Sequence, residues 1–456
     1  MNLLRSEVVA CGALSVVCCT VVQAQETQIL PELVVTATRS ATVAERVPAA
    51  VTVVEAETIV ERDATRLGDA LDQVPSLYLR GGALGSSQGT QGTSSMSLRG
   101  IDQSRTLVLL DGQPLQDAGS GKVNWRVPFV DDIERIEVVP GAYSALYGSN
   151  AIGGVINIIT KRPERKERSA RIRQGWGDAT GTDVSLYFRD KVAEGWGVVA
   201  GLGYQDRASY VNEFVVKTPS CPPPPAACTP GIQVSGAQAV TTRDGTPAYL
   251  VGDLGRTPWH TLNATAKLFR DLGAGDTLYA AISHQQTEQR HTPFNSWLRD
   301  ASGNTVSSGT LDIAGQRVAL SMYDFTLFSF QPLHEAATQY RLGYEGTLDG
   351  GVRLKAELAG MMRAYRYALA SPTATWDSGS GTLADTPNHA LDADLQLSFP
   401  LGMRHLLVGG VALHQDAVDQ RLLALSSWRD PSSAGMVNGG YHGRSATGSL
   451  YAQDEY

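Results

Sequence analysis

Four charged residues lie beside apolar segments in the first third of the chain, and the chemistry open to them is ion pairing. Arg99 follows a leucine, and Glu134, Arg135 and Glu137 alternate with isoleucines and valines over residues 133–139. A charge buried beside apolar strands is costly unless it has a partner. We therefore expect these side chains to pair with one another or with a polar surface of the same chain, as static struts rather than as a releasable latch.

Two further residues are suited to a disulfide. Cys221 and Cys228 bracket a run of four prolines, whereas Cys11, Cys18 and Cys19 lie in a leader segment that is expected to be removed. A small loop closed by a disulfide is typical of exported proteins. Metal binding is disfavoured because neither a CxxC spacing nor a nearby histidine accompanies the pair.

No arrangement of residues indicates catalysis or a cofactor. Residues 119–122 read GSGK, but a phosphate loop also requires an upstream glycine, where Gln116 stands, and a hydroxyl residue in place of Val123. Residues 195–200 fit the dinucleotide fingerprint loosely and lie in an alternating segment with no helix after it. The HExxH and CxxC motifs are absent. We expect neither an enzyme nor a bound cofactor or metal.

Single histidines are the remaining candidates for ligand chemistry. Four histidines fall in or beside the long polar connections described below, where they could contact iron or haem. They are His291, His389, His414 and His442. Isolated histidines at loop edges are more often ordinary polar surface. We predict that role for these four, and they nominate no ligand.

Composition narrows the class of protein. Of 456 residues, 18% are charged, so a disordered chain is not expected. The net charge is −8 and the basic residues are scattered, which disfavours nucleic acid as a partner. No apolar run reaches the ~20 residues that a membrane-spanning helix needs. An apolar stretch over residues 8–22, followed by a small-residue pattern ending at Ala24, predicts a signal peptide over residues 1–24.

The region from residue 26 to residue 160 mixes short strands, one helix and loops rich in glycine and serine, which is typical of an α+β domain. Apolar residues at helical spacing predict a helix over residues 65–74. β-branched and leucine-rich runs predict strands over residues 106–110, 133–139 and 155–159.

Beyond a charged linker at residues 161–168, long segments alternate between apolar and polar residues with a period of two. We count about eleven of them up to residue 456, including residues 196–204, 338–348, 352–358 and 392–399. Their lengths suit tilted strands that cross a bilayer.

The connections between these segments are strongly unequal. Short ones lie at residues 271–276, 349–351 and 400–403, and long ones at residues 207–257, 289–317, 367–388 and 418–444. Tight periplasmic turns and long outer loops are the pattern of an antiparallel transmembrane β-barrel. A soluble β-sandwich also alternates, but it would not combine such long strands with such unequal loops.

Several motifs resemble those of the TonB-dependent outer-membrane receptors. ELVVTATR at residues 32–39 is similar to the family's TonB box, and LRGI at 98–101, LVLLDG at 107–112 and IERIEVV at 133–139 follow in the family's order. GAYSALYG at 141–148 and NAIGGVINIIT at 150–160 closely resemble the end of the plug domain, and LYAQDEY at 450–456 looks like a mid-barrel strand.

The resemblance implies a domain organisation. Residues 25–45 would form a periplasmic segment with the TonB box, residues 46–162 the α+β plug, and residues 163–456 the N-terminal part of a barrel that has 22 strands in the family. Two plug loops would face the ligand, the glycine-rich loop over residues 81–92 and the loop over residues 115–122, and an ordinary flexible surface loop is the alternative for both. The coupling residues are Glu32, Leu33, Val34, Val35, Thr36, Ala37 and Thr38, a β-prone run that could add as a strand to a sheet edge of TonB.

The function that the resemblance implies is active import across the outer membrane of a Gram-negative bacterium. The expected partners are TonB with its energising complex, outer-membrane lipid and a metal chelate, most often a ferric siderophore. Cobalamin, haem or another chelate is an alternative, as is a plugged passive or signalling barrel. Because about eleven strands cannot close around a plug of this size, we also expect the sequence to be the N-terminal part of a longer receptor or a truncated reading frame.

Overall fold

The computed structural model describes residues 34–35, 42–43, 50–79, 96–147, 150–177, 180–211, 213–220, 231–326, 333–402 and 405–455. The predicted signal peptide, the predicted Cys221–Cys228 disulfide, the glycine-rich loop over residues 81–92 and most of the predicted coupling segment lie outside these residues. Within the described ranges, no helix is both long and apolar enough to cross a membrane.

The predicted plug domain contains short strands and three short helices. In chain order these are β1 Val34–Val35, β2 Thr42–Val43, β3 Thr52–Glu55, α1 Ala56–Glu61, α2 Leu67–Leu71, β4 Leu77–Leu79, β5 Met96–Leu98, β6 Ile101–Asp102, β7 Leu107–Leu110, β8 Gln113–Pro114, β9 Ile133–Pro140, α3 Ser144–Tyr147 and β10 Gly154–Thr160. Single 3-10 turns lie at Gln103–Arg105 and Val130–Asp132.

A five-stranded mixed sheet in the order β3-β9-β10-β7-β8 forms the centre of the plug. β10 runs parallel to β7 and antiparallel to β9. Leu67 and Leu71 of α2 share one buried apolar cluster with Ile136 and Ile156 of the sheet, which is how the helix is held. The three predicted strands are confirmed as β7, β9 and β10.

The helices differ in extent from the prediction. The helix predicted over residues 65–74 is present as the shorter α2, and α1 had no sequence signal of its own. Only Ala56 and Ile59 among the six residues of α1 are buried, so α1 lacks the apolar stripe that periodicity detects.

Gly154, where β10 begins, shows why the motif NAIGGVINIIT carries a glycine there. Its φ is +142°, and a Cβ at this position would lie 2.5 Å from the carbonyl oxygen of Val139. A side chain would therefore force β10 away from β9.

One antiparallel sheet of ten long strands, called the wall, dominates the described residues after the plug. The elements in chain order are β11 Glu167–Gly175, β12 Gly181–Ala193, β13 Trp196–Arg207, β14 Phe214–Lys217, β15 Ile232–Gln233, β16 Gln238–Thr241, β17 Pro247–Asp253, β18 Trp259–Gly273, β19 Asp276–Gln289, β20 Asn295–Ser296, β21 Gly309–Ile313, β22 Gln316–Leu320, α4 Met322–Thr326, β23 Leu333–Thr347, β24 Arg353–Ala370, β25 Gly381–Leu401, β26 His405–Leu425 and β27 Ala434–Glu455, with 3-10 turns at Asp349–Gly351 and Pro431–Ser433. The wall has the order β11-β12-β13-β18-β19-β23-β24-β25-β26-β27, ten strands where about eleven were expected.

The period-two alternation gives the wall an apolar outer face and a polar inner face. On β23, Leu342 is 50% exposed, whereas its neighbour Arg341 points inward and contacts the plug. On β18, Leu268 is 44% exposed, whereas Lys267 is only 5% exposed. Exposed leucines beside covered charges reverse the pattern of a water-soluble sheet, and they suit strands whose outer face meets lipid.

Two of the predicted long connections are wrong. Most of residues 367–388 and 418–444 belongs to wall strands, which leaves connections of only residues 371–380 and 426–433. The period of two breaks down in these stretches, as where VDQR at residues 418–421 is followed by LLAL at 422–425, so alternation gave no signal there.

The two longest connections, β13 to β18 and β19 to β23, fold together into a small unit called the cap. The cap contains the sheets β14-β17-β16 and β15-β21-β22. Its core includes Val251, Leu298, Leu311 and Phe325, which are all fully buried. The predicted loops at residues 207–257 and 289–317 therefore contain ordered structure that short strands gave too weak a period to predict.

Aromatic rings connect the cap to the two connections at residues 371–380 and 426–433. Phe294 lies 4.6 Å from Phe325 and 6.0 Å from Trp376 between ring centroids, and Trp376 lies 5.7 Å from Trp428. The Arg429 guanidinium sits 5.0 Å above the Trp376 ring. Three separate connections thus share one aromatic cluster.

His291, in the connection that follows β19, is buried with 5% exposure, so the prediction of ordinary polar surface is wrong for this residue. Burial lowers the pKa of His291 to about 4. His389 and His442 are exposed, as predicted, but both lie within strands.

We expect acid to weaken the structure around His291. The folded form binds the proton with a pKa of about 4, below the ordinary value of 6.5. The unfolded form is therefore protonated first, and stability falls as the pH drops from about 6.5 towards 4. The expected loss between pH 7 and pH 5 is about 2 kcal/mol in urea unfolding followed by tryptophan fluorescence.

Two substitutions test this assignment. His291→Gln should remove that pH dependence, whereas His442→Gln, at an exposed histidine, should keep it. An unchanged pH dependence in His291→Gln would contradict the prediction.

Candidate functional site

A cluster of five buried or half-buried side chains joins the plug to the inner face of the wall. This ionic hub consists of Asp111, Asp132 and Thr160 from the plug and Lys267 and Arg341 from the wall. The Lys267 ammonium lies 2.7 and 2.8 Å from the Asp132 carboxylate oxygens, and it donates to Thr160 Oγ1 at 2.5 Å. Arg341 lies 2.5 Å from Asp111. Two cations thus face two anions, which is the condition for burying them at acceptable cost.

The plug residues Asp111 and Thr160 of the hub lie at the ends of two strands. Asp111 follows β7 and Thr160 ends the parallel strand β10, so the two residues are neighbours. Thr160 donates to Asp111 through its backbone N at 2.7 Å and through Oγ1 at 2.6 Å. Burial alone would raise the pKa of Asp111, but Arg341, Lys267 and these hydrogen bonds hold that pKa well below its usual value. Asp111 is therefore a permanent anion at physiological pH.

Further polar contacts extend the junction around the hub. Arg162, just after β10, makes a two-pronged ion pair with Glu345 at 2.8 and 2.9 Å. Tyr187 of β12 donates to Asp132 at 3.0 Å. Every one of these wall residues occupies an inward position of its strand.

Apolar packing closes the same side of the junction. The Phe129 ring lies against β13 where Gly201 and Gly203 leave notches, because a Cβ at either glycine would come within 2.6 Å of the ring. Gaps beside Phe129 measure only about 40 and 20 Å³. The plug therefore packs closely against the wall around Phe129.

The four charged residues predicted to pair have different surroundings. Arg135 lies 2.9 Å from Glu137 within β9, and Glu134 lies 3.1 Å from Arg189 of the wall. Arg99 is exposed in the turn between β5 and β6 with a φ of 51°, and among the described residues no ion pair joins it to the other three. Their role as struts stays a prediction.

The ionic hub itself was missed by the sequence analysis. Its signal was available, because Lys267 stands between alanine and leucine and Arg341 between tyrosine and leucine in alternating strands. A single charge at an inward position of such a strand requires a buried partner, and Asp111 in LVLLDG is the partner of Arg341.

Only part of the predicted coupling segment is described. Val34 and Val35 pair antiparallel with Val43 and Thr42. This pairing agrees with the β propensity of the run, and it leaves the contact with TonB as a prediction.

The plug loop over residues 115–122 contacts wall strands β24, β25 and β26. Tyrosines stand near it on the inner face: the Tyr365 and Tyr367 rings are 5.3 Å apart, and the Tyr441 hydroxyl lies 3.1 Å from the place of a Cβ on Gly119. These rings and the loop meet at the end of the wall that carries the cap.

In the described part of the chain, no group of three or more His, Cys, Asp or Glu residues is arranged to hold a metal ion. His414 is half-buried, with its ring nitrogens 2.6 Å from Asp392 and 3.2 Å from Asp416. It is therefore hydrogen-bonded between two carboxylates rather than being the simple polar surface that was predicted.

Comparisons with known sequences agree with this architecture. Residues 43–155 match the family described as TonB-dependent Receptor Plug Domain. The iron-regulated outer membrane virulence protein of Vibrio cholerae is 37% identical over 142 residues, which cover 29% of this chain and 20% of that protein. The vitamin B12 transporter BtuB of Vibrio vulnificus is 40% identical over 147 residues, which cover 32% of this chain and 23% of that protein.

Solved structures show the same fold. The ferripyoverdine receptor of the outer membrane of Pseudomonas aeruginosa matches with a TM-score of 0.60 at 15% identity. The match covers 92% of this chain and 51% of that one, so this chain spans about half the length of the receptor.

The chain therefore comprises the plug domain of a TonB-dependent receptor followed by part of its barrel. The expected fold class, an α+β plug and then antiparallel barrel strands, is confirmed. The matched family consists of receptors rather than enzymes. The place of this chain is the outer membrane of a Gram-negative bacterium.

We expect the hub to dominate the docking of the plug. Lys267→Met leaves Asp132 buried without its cation, and the expected loss in unfolding free energy is about 3–5 kcal/mol. Urea unfolding of the purified protein in detergent measures this loss.

Matched variants distinguish the effect of the unpaired charge on the unfolding free energy from the effect of altered packing. Adding Asp132→Asn to Lys267→Met should recover much of the loss, because the orphaned charge is removed as well. Lys191→Met, at an exposed lysine of β12, should change the unfolding free energy by less than about 0.5 kcal/mol. Equal losses in Lys267→Met and Lys191→Met would show that the hub is not an anchor.

Proposed function

We propose that the protein is an active transporter of the outer membrane that captures a scarce metal chelate and imports it with energy delivered through TonB. The observation that carries this proposal is a plug docked by buried ion pairs onto the polar inner face of a wall whose outer face is apolar. A plug held in this way blocks passive flow, so import through it requires work.

The coupling residues proposed for that work are Glu32 to Thr38. They lie close to the N-terminus of the predicted mature chain, and Val34 and Val35 already adopt a strand. A strand can leave one pairing partner and pair with another by exchanging backbone hydrogen bonds. Such a pairing can bear tension. TonB, with its inner-membrane energising complex, is the proposed partner.

A ferric siderophore is the proposed class of ligand. Two of the relatives are described as an iron-regulated outer membrane virulence protein and a ferric enterobactin receptor, and a similar structure binds ferripyoverdine. Tyr367 and Tyr441, near the loop 115–122, offer aromatic surface to such a chelate. Cobalamin is the second candidate, because another relative is a vitamin B12 transporter.

We expect deletion of residues 32–38 to abolish energised uptake while ligand binding persists. The assay uses whole cells and radiolabelled probes, namely ferric enterobactin, ferripyoverdine and cyanocobalamin, with binding read at 0 °C or with an uncoupler. Uptake of at least one probe in cells with the full receptor is the expected starting point.

A pair of point variants tests the strand mechanism more finely. Val34→Pro removes a backbone donor and should reduce uptake at least tenfold, whereas Val34→Ala keeps the donor and should retain most of it. Unchanged uptake after deletion of residues 32–38 would exclude energy coupling through this segment. Equal loss of binding and uptake would indicate misfolding rather than a coupling defect, and it would overturn the assignment.

A further inference from the structure

The outer face of the wall carries charged residues at both ends of its strands, with the apolar band between them. At the end that carries the cap, three arginines each have a carboxylate of their own. The pairs are Arg290 with Glu288, Arg366 with Asp385, and Arg421 with Asp419. The charges of these arginines are therefore balanced within the protein.

The opposite, short-turn end of the first wall strands holds more cations than nearby acids can balance. Lys166 and Arg168 lie 3.2 and 4.0 Å from the same carboxylate, that of Asp190 on β12. The Asp190 side chain is only 19% exposed, whereas those of Lys166 and Arg168 are 61% and 66% exposed. One positive charge is left over, and both cations lie further from the sheet than the acid does.

Arg270, near the short-turn end of β18, adds a second unbalanced charge. Its guanidinium donates to the backbone carbonyl of Glu194 at 3.1 Å, and it forms no ion pair with any residue that the structure describes. The acids nearest to it in sequence, Glu194 and Asp271, are both exposed. Asp271 accepts instead from the backbone N–H of Gly273 at 2.8 Å.

Each of these two arginines lies over an aromatic ring of the neighbouring strand. Arg168 is directly opposite Phe188 of β12, with its guanidinium carbon 5.5 Å from the ring centroid. Arg270 is directly opposite Trp196 of β13, at 4.9 Å. A guanidinium that rests on a ring keeps its N–H edge available, and that edge matches the spacing of phosphate oxygens.

The turn between β12 and β13 leaves room for the Arg270 guanidinium. Gly195 has a φ of +67°, and a Cβ at this position would lie 2.8 Å from Arg270 Nη1. The GWGVVA segment at residues 195–200, which fits a dinucleotide fingerprint only loosely, thus contributes the glycine that makes this space and the tryptophan that supports the arginine.

Apolar side chains adjoin both arginines on the outer face. Leu186 lies two residues from Phe188 and is 50% exposed, and Leu268 lies two residues from Arg270 and is 44% exposed. Val192 and Leu272, at the ends of β12 and β18, are each 54% exposed. In a strand that crosses a bilayer such residues contact acyl chains. A ligand that fits this surface therefore combines a negative phosphate with hydrocarbon chains.

We infer that the short-turn end of β11 to β18 binds anionic phospholipids of the periplasmic leaflet, with one phosphate held by Arg168 and Lys166 and another by Arg270. Short turns of such barrels face the periplasm. The two arginines are three strands apart, about 14 Å or more, so each holds its own lipid. A zwitterionic headgroup would bring its ammonium to a surface that already has surplus positive charge. The inference depends on the membrane location of the wall and not on the ligand or on TonB.

Native mass spectrometry of the full receptor in detergent tests this inference. Dioleoylphosphatidylglycerol and dioleoylphosphatidylcholine are added in separate samples at the same concentration, and the lipids that stay bound are counted by mass. Phosphatidylglycerol should be retained at least fivefold more than phosphatidylcholine, because only its headgroup carries a net negative charge.

Two pairs of substitutions locate the bound lipid. Arg168→Gln with Arg270→Gln should lower the retention of phosphatidylglycerol at least fivefold. Arg366→Gln with Arg421→Gln removes the same charge from the end that carries the cap, and it should leave retention within twofold of the parent protein.

A further comparison keeps the charge constant. Trp196 and Tyr204 both lie on the outer face of β13 and are both 40% exposed, but only Trp196 is at the short-turn end. Trp196→Leu removes the ring under Arg270 and should lower retention of phosphatidylglycerol at least twofold, whereas Tyr204→Leu should not change it.

Lipids are counted on variants that keep the urea midpoint of the parent protein. If the Arg168 and Arg270 pair is less stable, the two single variants replace it, and each should lose about half of the retained phosphatidylglycerol. Equal retention of the two lipids would overturn the inference, as would unchanged retention without Arg168 and Arg270. An equal loss in the pair at the cap end, or parental retention in Trp196→Leu, would also contradict it. The measurement uses neither TonB nor a chelate, so its failure is distinguishable from failure of energised uptake.

Discussion

The salt bridge between Lys267 and Asp132 is the contact on which the arrangement of plug and wall depends. It is buried between two separately folded parts, and Thr160 connects it to Asp111 and Arg341. A plug that shifted along the wall without leaving it would keep these four charges buried but unpaired, which is costly, so the docked position is specified at this one place. A moving plug must therefore pivot around the hub or be driven from it by considerable work.

The polar inner face of the wall follows from the same need to pair buried charges between plug and wall. A strand that meets lipid outside and a charged plug inside must alternate leucine with lysine or arginine, as Leu268 and Lys267 do on β18. The plug in turn places its acids where β7 and β10 end, at the edge that the wall covers. Local sequence, strand geometry and docking are thus consistent with one another.

The repeating features of the structure could be predicted from the sequence alone. The period of two predicted most wall strands, and the motifs around Asp111 and Gly154 predicted the plug, because each depends on neighbours in the chain. The local pattern marks Lys267 and Arg341 as inward charges, but their partners, like the residues that bury His291, lie far away in sequence and are not identified by a local pattern. The extended ends of β24 to β27 were missed for another reason: the period of two breaks down there, so alternation carries no signal.

The aromatic cluster of Phe294, Phe325, Trp376 and Trp428 makes the cap part of a single folded surface. The residues that face outward there come from connections far apart in the chain and owe their spacing to the buried rings. An antibody raised against that surface would recognise a discontinuous epitope, and short peptides copied from any one connection would be poor immunogens for it.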